Sequence, residues 1–159
     1  MTTHTTIDSP LGELTLVADR GELTGLYFPH HWYRPPTVGP RDDRGFEEVT
    51  RQLTEYFAGT RTTFAVPLRA DGDQFQRSVW TELARVPYGA TVTYGELATA
   101  LGDAALAREV GAAVGRNPLS VLVACHRVVG KNGKLTGYAG GLKRKRFLLN
   151  LESPTAGLW

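Results

Sequence analysis

The spacing of apolar residues changes along this chain, and the change limits the folds open to it. Up to Phe28, apolar and polar residues alternate in three short runs, Thr5–Ile7, Glu13–Ala18 and Leu23–Phe28. Alternation with period two puts every second side chain on one face of a strand. Turn-forming residues separate the runs at Asp8-Ser9-Pro10-Leu11-Gly12 and at Asp19-Arg20-Gly21. From Phe46 the period becomes helical: Phe46, Val49, Leu53, Tyr56 and Phe57 share one face, and Gly59 stops the helix. Pro29 to Gly45 reads as an exposed, mobile, Pro-rich loop, and Thr62 to Leu68 as a last strand. Polar and turn-forming residues cluster from Arg69 to Asp73, which places a boundary there. The expected domains are an N-terminal α/β lobe over residues 1–70 and a second domain over 73–159.

The second domain reads as mostly helical. Phe75, Val79, Trp80, Leu83 and Val86 form an apolar stripe that Pro87-Tyr88-Gly89 ends. Thr93-Tyr94-Gly95-Glu96 matches a capping box, in which Thr93 caps a helix and Glu96 reaches back. That helix runs to Leu101, and Gly102 breaks it. Asp103 then caps a second helix carrying Leu106, Val110, Ala113 and Val114, which ends near Gly115. Two short helices joined by a tight glycine turn read as a helix-turn-helix. A further helix from Leu142 to Glu152 closes the domain. The fold class expected is α+β: a small antiparallel sheet lobe with a helix, then a helical lobe with a helix-turn-helix, winged-helix-like motif.

Charge is divided unevenly between the halves. Residues 1–72 hold 7 Lys/Arg and 10 Asp/Glu, whereas residues 73–159 hold 11 and 6. From His126 to Arg146 there are seven basic residues and no acidic one. Such a surface either faces a polyanion or is simply solvated, and charge alone does not choose. No apolar run is long enough to span a bilayer, the N-terminus lacks signal-peptide character, and the lone cysteine suits a reducing compartment. A cytoplasmic protein without membrane contact is expected.

The second helix of the pair is poor in bulk. Ala104, Ala105, Ala107, Gly111, Ala112, Ala113 and Gly115 leave it thin, and Gly111 costs about 1 kcal/mol of helix stability relative to alanine. Close packing on a neighbouring helix explains this, and so does close approach to a minor groove only about 6 Å wide. Arg108, which interrupts the small residues, is either solvent-facing or a finger that fills the hole left by an extruded base.

After Asn117-Pro118, the apolar stretch Leu119 to Ala124 reads as a strand delivering Cys125-His126. A thiolate is the reactive form of cysteine, and a neighbouring base with basic surroundings favours it. On a strand, adjacent side chains face opposite ways, so His126 acts on Cys125 only through a turn or a water. A lone cysteine is also, commonly, a small buried hydrophobe.

Cys125-His126-Arg127-Val128 resembles the Pro-Cys-His-Arg-Val/Ile motif of the O6-alkylguanine-DNA alkyltransferase family, with Ala124 in place of proline. Similar to that family, in the same order, are Ser9-Pro10-Leu11-Gly12, Val86-Pro87-Tyr88-Gly89, Thr93-Tyr94-Gly95-Glu96, Ala107-Arg108-Glu109-Val110-Gly111, Asn117-Pro118, Gly137-Tyr138-Ala139-Gly140-Gly141-Leu142 and Leu149-Asn150-Leu151-Glu152. The resemblance implies direct-reversal DNA repair by a single-turnover methylated-DNA–cysteine methyltransferase. It implies Cys125 as alkyl acceptor, Glu152 orienting His126, His126 taking the thiol proton through a water, and Tyr94 donating near N3 or O6 of guanine. It assigns DNA contacts to Ala107, Arg108, Gly111, Ala112 and Arg116 on a helix entering the minor groove. Asn117 becomes a hinge, and Tyr138, Ala139 and Gly140 line the base pocket.

The partner implied is double-stranded alkylated DNA, met by a monomer, with cooperative assembly left open. No cofactor is expected. Neither is a metal, since His30 and His31 poorly replace the N-terminal cysteines that hold zinc in some members. Ala139 stands where many members carry serine, so one contact to O6 falls to a backbone amide. The alternatives are a lesion-binding relative without transfer activity, a helix-turn-helix transcription factor and a cysteine hydrolase. Only the alkyltransferase gains an alkyl group covalently.

Overall fold

The structure is a computed structural model and describes residues 1–153. Residues 154–159, the end of the expected second domain, lie outside that range. The first lobe is a three-stranded antiparallel sheet in the order β1 (Thr2–Ile7), β2 (Leu14–Asp19), β3 (Glu22–Tyr27). Asp19 pairs with Glu22 across a two-residue turn whose Arg20 and Gly21 both have positive φ, 53° and 81°. Turns of this kind match the twist of a tight hairpin, and the glycine makes the second position inexpensive. The inward residues Leu14, Leu16, Leu23 and Leu26 bury against α1 (Glu47–Phe57) through Val49, Leu53 and Tyr56.

The second lobe holds α2 (Gln74–Leu83), β4 (Val92–Thr93), α3 (Tyr94–Ala100), α4 (Ala107–Gly115), β5 (Val128–Val129) and α5 (Leu142–Glu152). β4 and β5 pair in parallel. The capping box at Thr93 and Glu96 is present, and a second one joins Asp73 to Gln76 at the start of α2. Across the core, the Trp80 indole donates to the Ala113 carbonyl at 2.9 Å, tying α2 to α4. α3 and α4 form the helix-turn-helix, although Asp103 caps a short 3-10 turn, Ala104–Leu106, rather than α4 itself.

Two expectations need correction. Thr62–Leu68 is not a strand: it meets β3 at one isolated bridge, Leu23 to Leu68. Pro67 has no N–H to give a ladder, and the Ala65 N–H and carbonyl are taken instead by the Gln52 side chain. The loop from Pro29 to Gly45 is mostly exposed, as expected, and is bonded to the sheet by His4 N–H to Pro40 O, Asp42 N–H to His4 O, and Arg34 to Thr15.

Leu119–Ala124 is also not a strand. Only Leu119 bridges to the sheet, opposite Leu26, and the chain then coils through tight turns. Leu122 N–H bonds back to Ser120 O and Cys125 N–H to Val123 O, both at 2.8 Å. Val121, with φ 71°, occupies the left-handed region that β-branched residues avoid. That conformation costs on the order of 1–3 kcal/mol and persists because neighbouring bonds over-determine it.

Candidate active site

Those turns decide where the cysteine points. Asn117 leaves α4 and clamps the segment, donating from Nδ2 to Val123 O at 2.8 Å and accepting Leu119 N–H at 3.0 Å. Cys125, His126 and Arg127 then form a single 3-10 turn. The turn, not a strand, brings Cys125 and His126 to the same region. Ala124 has φ −78° and ψ 62°, within the φ range proline enforces, and its N–H makes no hydrogen bond among the described residues. Alanine in place of proline therefore leaves this backbone shape intact.

The thiol lies in the wall of a 110 Å³ cavity bounded by Trp32, Tyr94, Gly111, Val114, Gly115, Cys125, Gly137, Tyr138 and Ala139. The Tyr94 hydroxyl sits 2.9 Å from Thr136 Oγ1. Burial pushes the Cys125 thiol above its ordinary value, and Asn117, the charge of Lys145, Ser120 and Tyr138 act in the opposite direction. Lys145 is wholly buried, with Nζ 3.2 Å from Thr136 O, and burial lowers it to about 8.

Behind the cysteine, His126 Nε2 meets Glu152 Oε2 at 2.7 Å, with both side chains essentially inaccessible. Arg127 donates from Nε to Oε1 at 2.7 Å and from Nη2 to Oε2 at 3.0 Å, and the Tyr56 hydroxyl donates to Oε2 at 2.5 Å. Burial by itself would raise the Glu152 carboxyl, but His126, Arg127 and Tyr56 together outweigh it and hold the group at about 2. Burial lowers His126 despite the carboxylate, so the imidazole rests neutral. With Nε2 committed to Glu152, Nδ1 is the free ring nitrogen, buried and without a partner among the described residues, as are Ser120 Oγ and Tyr138 OH. A neutral imidazole with an open Nδ1 can take a proton.

Of the sequence-derived residues, Cys125, Tyr94, Gly111, Tyr138 and Ala139 gather at the cavity, with His126 and Glu152 behind them. Gly140 is not on the lining: a Cβ there would lie 2.4 Å from Phe28 Cδ2, so it gives room to the other lobe. Arg108, Ala112 and Arg116 lie outside the cavity, exposed at four-residue spacing along one face of α4, and Ala107 is half-buried at its start. Arg108 makes no hydrogen bond or ion pair among the described residues. Arg116 stacks on Tyr33, 4.1 Å from its ring centre.

Gly111 bears on why α4 is thin. A Cβ there would meet only Tyr94, at an ordinary 3.6 Å, so packing inside the protein does not require glycine. Sequence reasoning missed Lys145, Tyr56, Ser120 and Trp32. Lys145 had a signal, since it stands with Leu148, Leu149 and Glu152 at spacings of three, four and seven, on the buried face of α5. Trp32, in the Pro-rich loop, had none.

Both halves of the chain match models of one family. Residues 2–70 match the 6-O-methylguanine DNA methyltransferase ribonuclease-like domain, and residues 74–154 its DNA binding domain. The methylated-DNA–protein-cysteine methyltransferase of Mycobacterium bovis is 47% identical over 154 residues, 96% of this chain and 93% of that protein. The constitutive enzyme of Bacillus subtilis is 41% identical, with 96% of each covered. A crystal structure of Mycobacterium tuberculosis OGT in complex with DNA superposes with a TM-score of 0.90 at 47% identity, covering 94% of this chain and 92% of that one. The chain belongs to the 6-O-methylguanine DNA methyltransferase family.

Proposed function

We infer that this chain repairs DNA by moving the methyl group of O6-methylguanine onto Cys125 and is consumed in doing so. The observation that carries the reading is the position of the only cysteine, in the wall of a cavity under α4, backed by the buried His126–Glu152 pair. The thiol proton passes through a water to His126 Nδ1, and Glu152 holds the imidazole as in a hydrolase triad. The sulfur attacks the methyl carbon, the C–S bond forms and the O6–C bond breaks. Guanine leaves with a proton supplied through the Tyr94 hydroxyl, which balances the one lost by the thiol. The thioether has no activated route to cleavage, so each molecule acts once.

The lesion reaches Cys125 by rotating out of the duplex, because the stack hides its O6 carbon. The thin α4 lies against the minor groove through Ala107, Gly111, Ala112 and Arg116, and Arg108 occupies the vacated stack. The freedom at Gly111 supports this assignment, since packing inside the protein does not require glycine there. Tyr138 and Ala139 flank the everted base, and Asn117 links α4 to the reactive turn. One acceptor cysteine meeting one lesion needs a single copy of the chain on double-stranded DNA, and the acting unit is read as a monomer. A reducing cytoplasm fits an acceptor that must stay a free thiol. No helix of the described residues is long and apolar enough to cross a membrane.

The test is intact-mass measurement after mixing with duplex DNA carrying O6-methylguanine, followed by peptide mapping. One methyl group per molecule on Cys125, reaching a plateau at one equivalent, is expected, and Cys125→Ser gains none. Multiple turnover, or methylation that survives Cys125→Ser, would sink the assignment.

A further inference from the structure

The Glu152 carboxylate is held by side chains from both lobes. His126 and Arg127 reach it from the reactive turn, but the fourth hydrogen bond comes from α1, 96 residues away in sequence. There Tyr56 is wholly buried, with its ring packed against Phe57, Phe64 and Tyr88. Its hydroxyl lands on Oε2, the same oxygen that takes His126 Nε2. Packing alone would be served by phenylalanine; among the described residues the hydroxyl has one hydrogen-bond partner, and that partner is the carboxylate behind the nucleophile.

Resting on the relay reading above, we propose that Tyr56 is a positioning residue for thiol activation: the N-terminal lobe sets the orientation of Glu152 and limits its pull on the proton of His126. The physical problem is one of balance. His126 must be neutral to accept the thiol proton, yet a buried carboxylate 2.7 Å away favours the imidazolium. The opposing charged groups are Arg127, on the carboxylate itself, and Lys145, from α5. The remaining titratable neighbours are Cys125, Tyr138 and Tyr88, whose hydroxyl is bonded to Leu151 O.

A neutral donor on Oε2 draws carboxylate charge away from His126 without adding a proton to the relay. Burial and the Glu152 charge raise the Tyr56 phenol, so it stays protonated and can only donate to the carboxylate. The same bond fixes the carboxylate's rotation, leaving Oε1 to Arg127 Nε. The N-terminal lobe, which contributes no reacting atom, thereby tunes the reaction in the other.

The experiment is single-turnover transfer from O6-methylguanine duplex DNA between pH 5 and 9, for wild type, Tyr56→Phe, Glu152→Gln and the double variant. Tyr56→Phe keeps the ring and its contacts. Without the hydroxyl the carboxylate acts more strongly on His126 and stabilises the imidazolium. The acid limb of the pH–rate profile then moves to higher pH by up to about one unit, the scale of one lost charge-assisted hydrogen bond. At the acid end of the profile the rate falls by up to about tenfold with it, while at neutral pH, where the imidazole is already neutral, it changes little; Tyr56→Phe adds nothing in the Glu152→Gln background. Fluorotyrosine incorporated at position 56, a stronger donor of similar shape, moves the limb the opposite way. If Glu152→Gln is slow while Tyr56→Phe keeps the wild-type acid limb, Tyr56 is only a core residue and the proposal fails with the relay intact. If Glu152→Gln transfers as fast as wild type, the relay reading itself is wrong and the Tyr56 proposal falls with it.

Discussion

Replacing Glu152 with glutamine removes a charge that folding holds well below its ordinary range, and the cost to stability should itself depend on pH. The carboxyl falls from 4.5 to about 2 on folding. A group whose pKa is depressed in the folded state contributes its full stability above the unfolded value and loses it as pH falls toward the folded one. At pH 7 the contribution is on the order of 3 kcal/mol, at 1.36 kcal/mol per unit. At pH 3.5 the unfolded chain is mostly protonated at this site while the folded one is mostly ionised, which leaves about 2 kcal/mol.

Glutamine does not titrate, so the wild-type advantage over Glu152→Gln should shrink by on the order of 1 kcal/mol between pH 7 and 3.5. At pH 7 the whole substitution should cost about 3–5 kcal/mol, because it breaks an ion pair whose carboxylate is buried and leaves the half-buried Arg127 guanidinium, among the described residues, only its bond to Val86 O. Asp42 and Glu48 are also held at about 2, by hydrogen bonds from Arg44 and Arg51, but both proteins contain them and they cancel in the difference. Urea unfolding at the two pH values, analysed as paired differences, is the assay. A gap that stays constant or widens toward low pH would refute the claim that Glu152 is folded as a strongly stabilised anion.

Three further outcomes are expected. Arg108→Ala should leave stability within about 0.5 kcal/mol, since the side chain is exposed and unbonded among the described residues. Its reaction with free O6-methylguanine should be unchanged, but transfer from duplex DNA should slow about tenfold in single-turnover kinetics; equal loss on both substrates would remove the finger role. Ala124→Pro should stabilise the chain by about 0.4–1 kcal/mol at an unchanged transfer rate, because φ there is already −78°; a lowered midpoint in urea would show that the turn does not accept the ring. Gly111→Ala should raise stability by up to about 1 kcal/mol and yet weaken binding to duplex DNA, measured by anisotropy; unchanged binding would mean that the thin face does not meet DNA.

Much of this fold was legible because local signals were strong. The three strands lie where the alternating runs and their turns put them, with a register shift between Val17 and Ala18 bringing Leu23 and Leu26 to the face of Leu14 and Leu16, and α5 spans the expected Leu142 to Glu152. The Thr93–Glu96 cap could be read because a capping box is a local exchange between residues three apart. The failures share a cause. Leu119–Ala124 has the composition of a buried strand, but a bulky apolar run is equally at home in buried turns. What bends it is non-local and side-chain based, chiefly the Asn117 clamp. Thr62–Leu68 fails similarly, because Gln52 takes the backbone groups of Ala65 that a ladder would have used. The cysteine motif located the reactive turn, but nothing in the order of residues tied Tyr56 to Glu152.

The site also shows why the carboxylate needs so many partners. A nucleophile buried to 3% exposure is penalised in its charged form, and the same burial penalises an imidazolium at His126 and a carboxylate at Glu152. Three buried ionisable groups in one small volume are tolerable only if the resting state keeps the charge on one of them and satisfies it fully. That group is Glu152, with Arg127, Tyr56 and His126 all donating to it. The thiol and the imidazole then rest neutral, and charge separates only when the thiol gives up its proton. Buried Lys145, held at about 8 beside the cysteine, is placed to stabilise the anion at that moment. The first lobe closes the arrangement from outside: Phe28 packs on Gly140, Trp32 walls the cavity and Tyr56 completes the carboxylate. A helix-turn-helix lobe alone would leave Glu152 one donor short and the cavity without its Trp32 wall.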